Sequence, residues 1–261
     1  MSETSASAAS GALDVGYRRL RSYFAVMVVL VLIWQAAISL FAIPPYLMPT
    51  PAAAAASIGA HGAEIAAAAQ FTIACTLAGM AISAVLAVMV ATLFVAQPFL
   101  ATALMPLALI VRTIPMIAVA PLIILIFGRG AGASIGIVAL LTYFQIMLAA
   151  WKGFQSPSTN TLELMRVYGA TFWQTQLKVR APFAAPHIFT GLRIAAGAAV
   201  LCAMFAEWMS GAPGLGALIL DSYAVQKFDL MWAAVLISAF AAYAFLTLTM
   251  MLERMVLNWS R

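Results

Sequence analysis

Six stretches of this chain stay apolar for about the thickness of a lipid bilayer, and any fold must find somewhere dry to put them. They run over roughly 23–42, 69–95, 100–127, 133–152, 187–209 and 230–256. A helix needs about 20 predominantly apolar residues to cross the hydrocarbon core. Charged residues make up only 8% of the chain, against about 25% in ordinary soluble domains, so a water-exposed surface cannot be built from this supply. The chain is therefore read as all-α, a polytopic membrane protein with six transmembrane helices forming one domain over 23–257. The preceding 1–22 is Ser/Ala-rich and expected to be disordered. The basic run Tyr17-Arg-Arg-Leu-Arg21 before an apolar core resembles a signal peptide. About 19 apolar residues follow it, though, which exceeds the usual 7–15, and an uncleaved first span is the better reading.

The net charge of +5 has to be read by location. Arg18, Arg19 and Arg21 precede the first span, and Arg254 and Arg261 follow the sixth. Lys152, Arg166, Lys178, Arg180 and Arg193 surround the connection between the fourth and fifth. With six spans all of these fall on one side, which the positive-inside rule makes the cytoplasm, with both termini there. The opposite side has no Lys or Arg over 43–68, Arg129 in the turn after span three, and Lys227 balanced by Asp221 and Asp229. No basic cluster is interleaved with aromatics in a way that suits nucleic acid. Cys75 and Cys202 sit inside apolar runs as core residues. His61 and His187 have no Cys or carboxylate at metal-ligand spacing, so no metal site is indicated. The Ala-rich segment 52–69, interrupted by Ser57, Gly59, His61, Gly62 and Glu64, is too broken to span and reads as a short helix along the outer surface.

The connection 157–182 is long, since links between bundled helices usually take about 2–8 residues, and it carries Leu, Met, Tyr, Phe and Trp. Residues 156–159, Ser-Pro-Ser-Thr, start a helix, with Ser or Thr as cap and Pro early. The helix is predicted through Thr161–Tyr168, ended by Gly169, which accepts the left-handed conformation of a C-terminal cap. Leu162, Met165 and Tyr168 or Gly169 fall on one face, with Glu163, Arg166 and Ala170 turned away. A second helical stretch over 172–180 is expected to stop at Pro182 and Pro186. Such a loop is either a solvated connector or carries a helix that lies against the protein's own bundle, packs on lipid or presents its face to a partner, and its apolar content favours the partner.

Polar groups within spans are costly and default to functional candidates. Arg112 lies near the middle of span three beside Pro115, and the breaks at Pro115 and Pro121 require that span to be buried in protein or to line a cavity. Tyr143 and Gln145 on span four are candidates to face a pore. Glu207, near the outer end of span five, either lines the route or braces the Gly211–Gly216 turn, with bracing slightly favoured. Arg129 and Asp221 are candidate outer-surface contacts for a partner. The lysines follow Trp151, Leu177 and Gln226, so no Gly-rich loop ends in Gly-Lys-Ser/Thr and ATP chemistry has no home in this chain.

Four stretches together carry a family resemblance over roughly residues 30–257. They are Pro44-Pro-Tyr-Leu-Met-Pro-Thr-Pro51; the run Arg112-Thr-Ile-Pro115 through Pro121-Leu to Phe127-Gly-Arg-Gly130; Glu163, Gly169, Val179 and Pro182, extended by Pro186 and Gly191-Leu-Arg193; and Glu207 followed by Gly214-Leu-Gly216. The chain resembles permease subunits of the taurine/sulfonate/nitrate group of ATP-binding-cassette (ABC) importers, in which the third stretch is the EAA loop. The resemblance implies a type I ABC importer fold with a cytoplasmic coupling helix between spans four and five. ATPase docking would then fall to Leu162, Glu163, Met165, Arg166, Tyr168, Gly169, Ala170 and Pro182, and the translocation pathway to Arg112, Pro115, Tyr143, Gln145 and Glu207. It also implies two cytoplasmic ATPase subunits that carry the ATP and Mg, a second permease copy forming a homodimer, an extracytoplasmic solute-binding protein, and a bacterial inner membrane. The implied solute is small and anionic or polar: a sulfonate, nitrate, bicarbonate or a pyrimidine-type vitamin precursor. Two departures stand out. Leu164-Met165 replace the alanines that name the loop, and Tyr143-Phe-Gln-Ile146 stands where a proline-containing run is common. A secondary carrier or channel uncoupled from ATP would predict internal repeats or several intramembrane carboxylates, and a membrane enzyme would need clustered His, Asp or Glu. The sequence has none of these.

Overall fold

The computed structural model describes residues 28–258, apart from the side chains of residues 107, 111 and 112. The segment 1–22 and Arg261 lie outside the described residues. In chain order the helices are α1 (Val28–Phe41), α2 (Pro51–Ala60), α3 (Gly62–Ala96), α4 (Pro98–Thr113), α5 (Met116–Phe127), α6 (Ala131–Phe154), α7 (Thr159–Val167), α8 (Phe172–Thr175), α9 (Ala181–Ser210), α10 (Leu215–Ala224) and α11 (Phe228–Val256), with one π turn over Gln176–Arg180 before α9. No strand occurs among the described residues.

Four helical stretches are long and apolar enough to cross a membrane: α3, α6, the continuous Phe172–Ser210 that contains α9, and α11. They carry the second, fourth, fifth and sixth apolar runs. The first and third runs are held by shorter helices, α1 and the pair α4 and α5. The division of the third run falls where the sequence places its break, with Pro115 in extended geometry (φ −58°, ψ 125°) capping α5. The expected enclosure of this run is met on one face only. Ala120 and Ile123 of α5 pack with Ile137 of α6 and Ala206 of α9, while Leu122, Leu125 and Ile126 stand open.

The centre is α6, lying along α3 on one side and α9 on the other, with α11 covering α9 and α10 wedged between α9 and α11. Lipid gives no hydrophobic drive for helix association, so close approach through small residues has to supply it. On α9, Ala195, Ala196, Ala199, Ala203 and Ala206 are all fully buried. A Cβ at Gly79 of α3 would lie 2.7 Å from Val138 Cβ of α6. One at Gly191 of α9 would lie 2.7 Å from Ala149 Cβ and 3.1 Å from Ile146 Cα of α6. Buried threonines satisfy their hydroxyls on carbonyls one turn back, as with Thr76 on Thr72 (2.7 Å) and Thr142 on Val138 (2.8 Å). Gly191→Leu is therefore expected to force α6 and α9 apart and to destabilise the folded chain by about 3 kcal/mol, at the upper end of overpacking costs. Gly197→Leu, where nothing lies within 4 Å of the added carbon, should be near neutral. Melting of the two variants in detergent compares them directly.

Two expectations are corrected. The Ala-rich 52–69 segment is not one surface helix. Thr50 caps α2, its Oγ1 accepting from Ala53 N at 3.2 Å, His61 ends it, and residues from Gly62 onward belong to α3. Alanine has the highest helix propensity, so α3 begins at 62 rather than at 69, where the apolar run starts. Nor does the helix stop at Pro182. Within the π turn the Ala181 N–H donates to the Gln176 carbonyl, and the helix continues past Pro182 and Pro186 to Ser210. A proline's ring collides with the carbonyl four residues earlier, and the wider π turn moves that carbonyl aside.

Candidate coupling surface and solute pathway

The connection between α6 and α9 is tightly built. Ser158 caps α7, its Oγ accepting from Thr161 N at 3.3 Å. At the other end Gly169 is left-handed (φ +67°). Its N–H donates to Arg166 O, and Ala170 N–H donates to Met165 O, both at 2.9 Å. This is the paired closure of a Schellman cap. Thr171 and Gln174 then close a reciprocal capping box on α8. Arg180 Nη1 donates to the Phe154 carbonyl at 2.8 Å, and Gln176 Nε2 donates to Thr92 Oγ1 at 3.4 Å, tying the connection to α6 and α3. The predicted start and stop of α7 are thus observed within one or two residues.

The outward face of α7 differs from the one the sequence suggests. Leu162, Met165 and Ala170 are half-buried, and so is Pro182. Glu163, Arg166, Tyr168 and Gly169 are exposed. The apolar side chains that project are Leu164 (54% exposed), Val167 (84%) and Tyr168 (79%), continued by Trp173 and Leu177. Apolar residues occupy both stripes of this short helix, so periodicity alone does not choose between them. The i, i+3, i+4 spacing of Leu164, Val167 and Tyr168 was the available signal.

The candidate pathway residues are not brought together. The side chain of Arg112 lies outside the described residues. Pro115 is exposed at the start of α5. Tyr143 packs beside the cluster of Ala87, Phe94 and Met147. Gln145, two positions on and so nearly opposite on the helix, lines a separate cleft of about 340 Å³ between α6 and α9. Lys152, His187 and Thr190 share that cleft, and Gln145 Oε1 is buried without a hydrogen-bond partner. The sequence reading missed His187 and Thr190 because they join Gln145 only through the α6–α9 crossing, whereas Lys152, seven residues on along the same face of α6, was available from helical spacing.

Glu207 is fully buried. Its Oε2 accepts from Gly216 N at 2.9 Å, and Thr72 Oγ1 of α3 accepts from Leu215 N at 2.9 Å. A Cβ at Gly214 would collide with the Glu207 carboxylate, and one at Gly216 with the Met204 carbonyl. The geometry is the bracing arrangement: two helices satisfy the first N–H groups of a third. Separately, α2 and the 226–230 segment enclose a cleft of about 660 Å³ lined by Tyr46, His61, Lys227 and Asp229 among others. Arg129 and Asp221 are both exposed.

Residues 83–259 match the family model described as binding-protein-dependent transport system inner membrane component. The chain is 31% identical, over 84% of its own length and 89% of the relative's, to a probable ABC transporter permease protein of Haemophilus influenzae. It is 30% identical to the riboflavin transport system permease protein RibX of Chloroflexus aurantiacus, covering 89% and 88% of the two chains. It is 32% identical to the formylaminopyrimidine transport permease protein ThiX of Halalkalibacterium halodurans, covering 72% and 75%. With all-helical architecture, helices of membrane-crossing length and these matches in hand, the chain belongs to the inner membrane components of binding-protein-dependent transport systems, and is a permease subunit of an ABC importer.

Proposed function

We propose that two copies of this chain form the translocation path of a six-span-per-subunit importer, and that α7 is the coupling helix on which a cytoplasmic ATPase pulls. The observation that carries the reading is an apolar face, Leu164, Val167 and Tyr168, held out from the chain on a short helix closed firmly at both ends. A capped helix anchored through Arg180 and Gln176 to α6 and α3 transmits force as a rigid lever. ATP and Mg reside on the partner ATPases, one under each permease copy. Docking involves Glu163, Arg166, Tyr168 and Gly169 directly, with Leu162, Met165, Ala170 and Pro182 setting the lever's seat. A solute-binding protein delivers from the outer side, where Arg129, Asp221 and the cleft around Lys227 and Asp229 are exposed.

The pathway reading centres on Gln145 with Lys152, His187 and Thr190, with Arg112 and Pro115 on the broken third run. A cleft offering an amide, a hydroxyl, an imidazole and an ammonium suits a small anionic or polar solute. Relatives are named for riboflavin, formylaminopyrimidine and aliphatic sulfonates. A thermal-shift screen of the cognate binding protein against those classes selects among them.

Topology has a direct test. Cys75 is buried and Cys202 half-buried, so Val167→Cys adds one well-exposed thiol. In cells that express the permease without its ATPase, a membrane-impermeant maleimide should label it in inside-out vesicles and leave it untouched in intact cells of an inner-membrane host. Labelling from outside would remove the coupling assignment and both cytoplasmic termini with it. Solute uptake by the lone permease in liposomes, with no ATPase present, would favour a carrier or channel instead.

A further inference from the structure

Arg180 is a half-buried cation in a crevice that holds no carboxylate. The crevice forms where the end of α3, the start of α4 and the end of α6 meet the π turn, and it encloses about 410 Å³. Its polar groups collect at Arg180, Gln155 and Thr102, while Phe94, Met105 and Trp151 supply much of the remaining wall. The bond to the Phe154 carbonyl at 2.8 Å fixes the guanidinium, which carries five N–H donors in all. Among the described residues the one ion pair joins Arg193 to Glu253 at 3.3 Å. Arg180 instead feels the like charge of Arg166 on α7. The sixteen-residue helix α4 begins at the same place with Pro98, while α3 and α6 end there, so the helix termini add no net positive charge and Arg180 is the cation of the crevice. A cation without a counter-ion in a partly dry crevice is unfavourable until an anion joins it.

The wall decides which anion. A free inorganic ion would engage the polar groups and leave the aromatic and aliphatic surface bare. A phospholipid uses both, and Phe99, 79% exposed beside the crevice, together with Trp151, gives the mouth the aromatic character of a membrane interface. We propose that this crevice binds the phosphate headgroup of an anionic phospholipid, with Arg180, Gln155 and Thr102 on the headgroup and Phe94, Met105 and Trp151 against the first part of an acyl chain. Basic pockets between transmembrane helices are suited to such headgroups. Assignment to the cytoplasmic leaflet rests on the topology proposed above, whereas the site itself does not.

The full chain, purified and delipidated in detergent, is titrated with short-chain phosphatidylglycerol, phosphatidylcholine, glycerophosphoglycerol and inorganic phosphate, and the bound species are counted by native mass spectrometry. Phosphatidylglycerol is expected to bind about fivefold more tightly than phosphatidylcholine, the factor one basic residue contributes at an anionic lipid. Arg180→Gln should erase that preference. Because this change also removes the bond to Phe154, Thr102→Glu serves as the second variant. It leaves Arg180 in place, sits at an exposed position near a helix N-terminus that tolerates an acid, and puts a carboxylate in the crevice. It should erase the preference at unchanged melting temperature. Equal binding of the two lipids by the unaltered chain, or a preference that survives both changes, overturns the site. Glycerophosphoglycerol or inorganic phosphate binding as tightly as the lipid overturns the lipid source.

Discussion

Replacing Val167 and Tyr168 together by aspartate is expected to abolish ATP-driven uptake while leaving the permease folded and inserted. Both side chains project from the chain, at 84% and 79% exposure, so removing them costs the isolated subunit little. Their burial in a partner surface would contribute about 1.5–3 kcal/mol each, and two carboxylates left in that surface without partners cost more again. A total near 4 kcal/mol lowers ATPase affinity about a thousandfold. Co-purification of the ATPase and uptake into proteoliposomes should then fall together. A bulky residue at Gly169 is the milder perturbation, although the resemblance alone makes it the obvious target. Nothing lies within 4 Å of the carbon it would add, and the left-handed backbone there costs a non-glycine residue only about 1–2 kcal/mol. Retention of both ATPase and transport in the double aspartate variant would remove α7 from the coupling path.

The difference between those two targets reflects how unevenly the sequence can be read. Spans declare themselves through uninterrupted apolar length, and the boundaries of α6 and α11 fall within a few residues of the runs that predict them. The caps of α7 are equally legible, because Ser158 and Gly169 act within their own turn. What faces outward from α7 is not local. Both of its stripes are apolar, and the choice between Met165 and Val167 is made by contact with the rest of the chain. The continuity of α9 through Pro182 was hidden for a related reason, since proline forbids an α-helical bond without forbidding a π turn that shifts the offending carbonyl. His187 and Thr190 become neighbours of Gln145 only because Gly153 and Gly191 let α6 and α9 approach closely, whereas Lys152 lies two turns along the same face of α6. Separation of Tyr143 from Gln145, by contrast, follows from helical spacing alone and was available from the start.

Glu207 distinguishes a brace from a solute contact most sharply. Helix α10 begins in the protein interior with Leu215 and Gly216, and its first N–H groups have no partners within the helix. Thr72 takes one and Glu207 the other, each at 2.9 Å, and Gly214 lacks the side chain that would otherwise fill the carboxylate's place. Glu207→Ala leaves the Gly216 N–H buried and unpaired and opens a cavity, at a cost of about 3 kcal/mol. Glu207→Gln keeps an oxygen that can accept the same bond and loses mainly the charge that favours the α10 N-terminus, about 1 kcal/mol. Detergent melting should therefore rank the unaltered chain above Gln and Gln above Ala. Transport by whatever Gln variant remains folded should be close to normal. A residue that touched passing solute would give the opposite pattern, with Glu207→Gln melting normally and transporting poorly. Thr72→Val supplies a second arm, because at nearly constant volume it removes the acceptor for Leu215 N–H, along with the contact between the Thr72 hydroxyl and the Glu207 carboxylate. If the clasp is what matters, that change lowers the melting temperature as Glu207→Gln does, with transport per folded molecule again preserved.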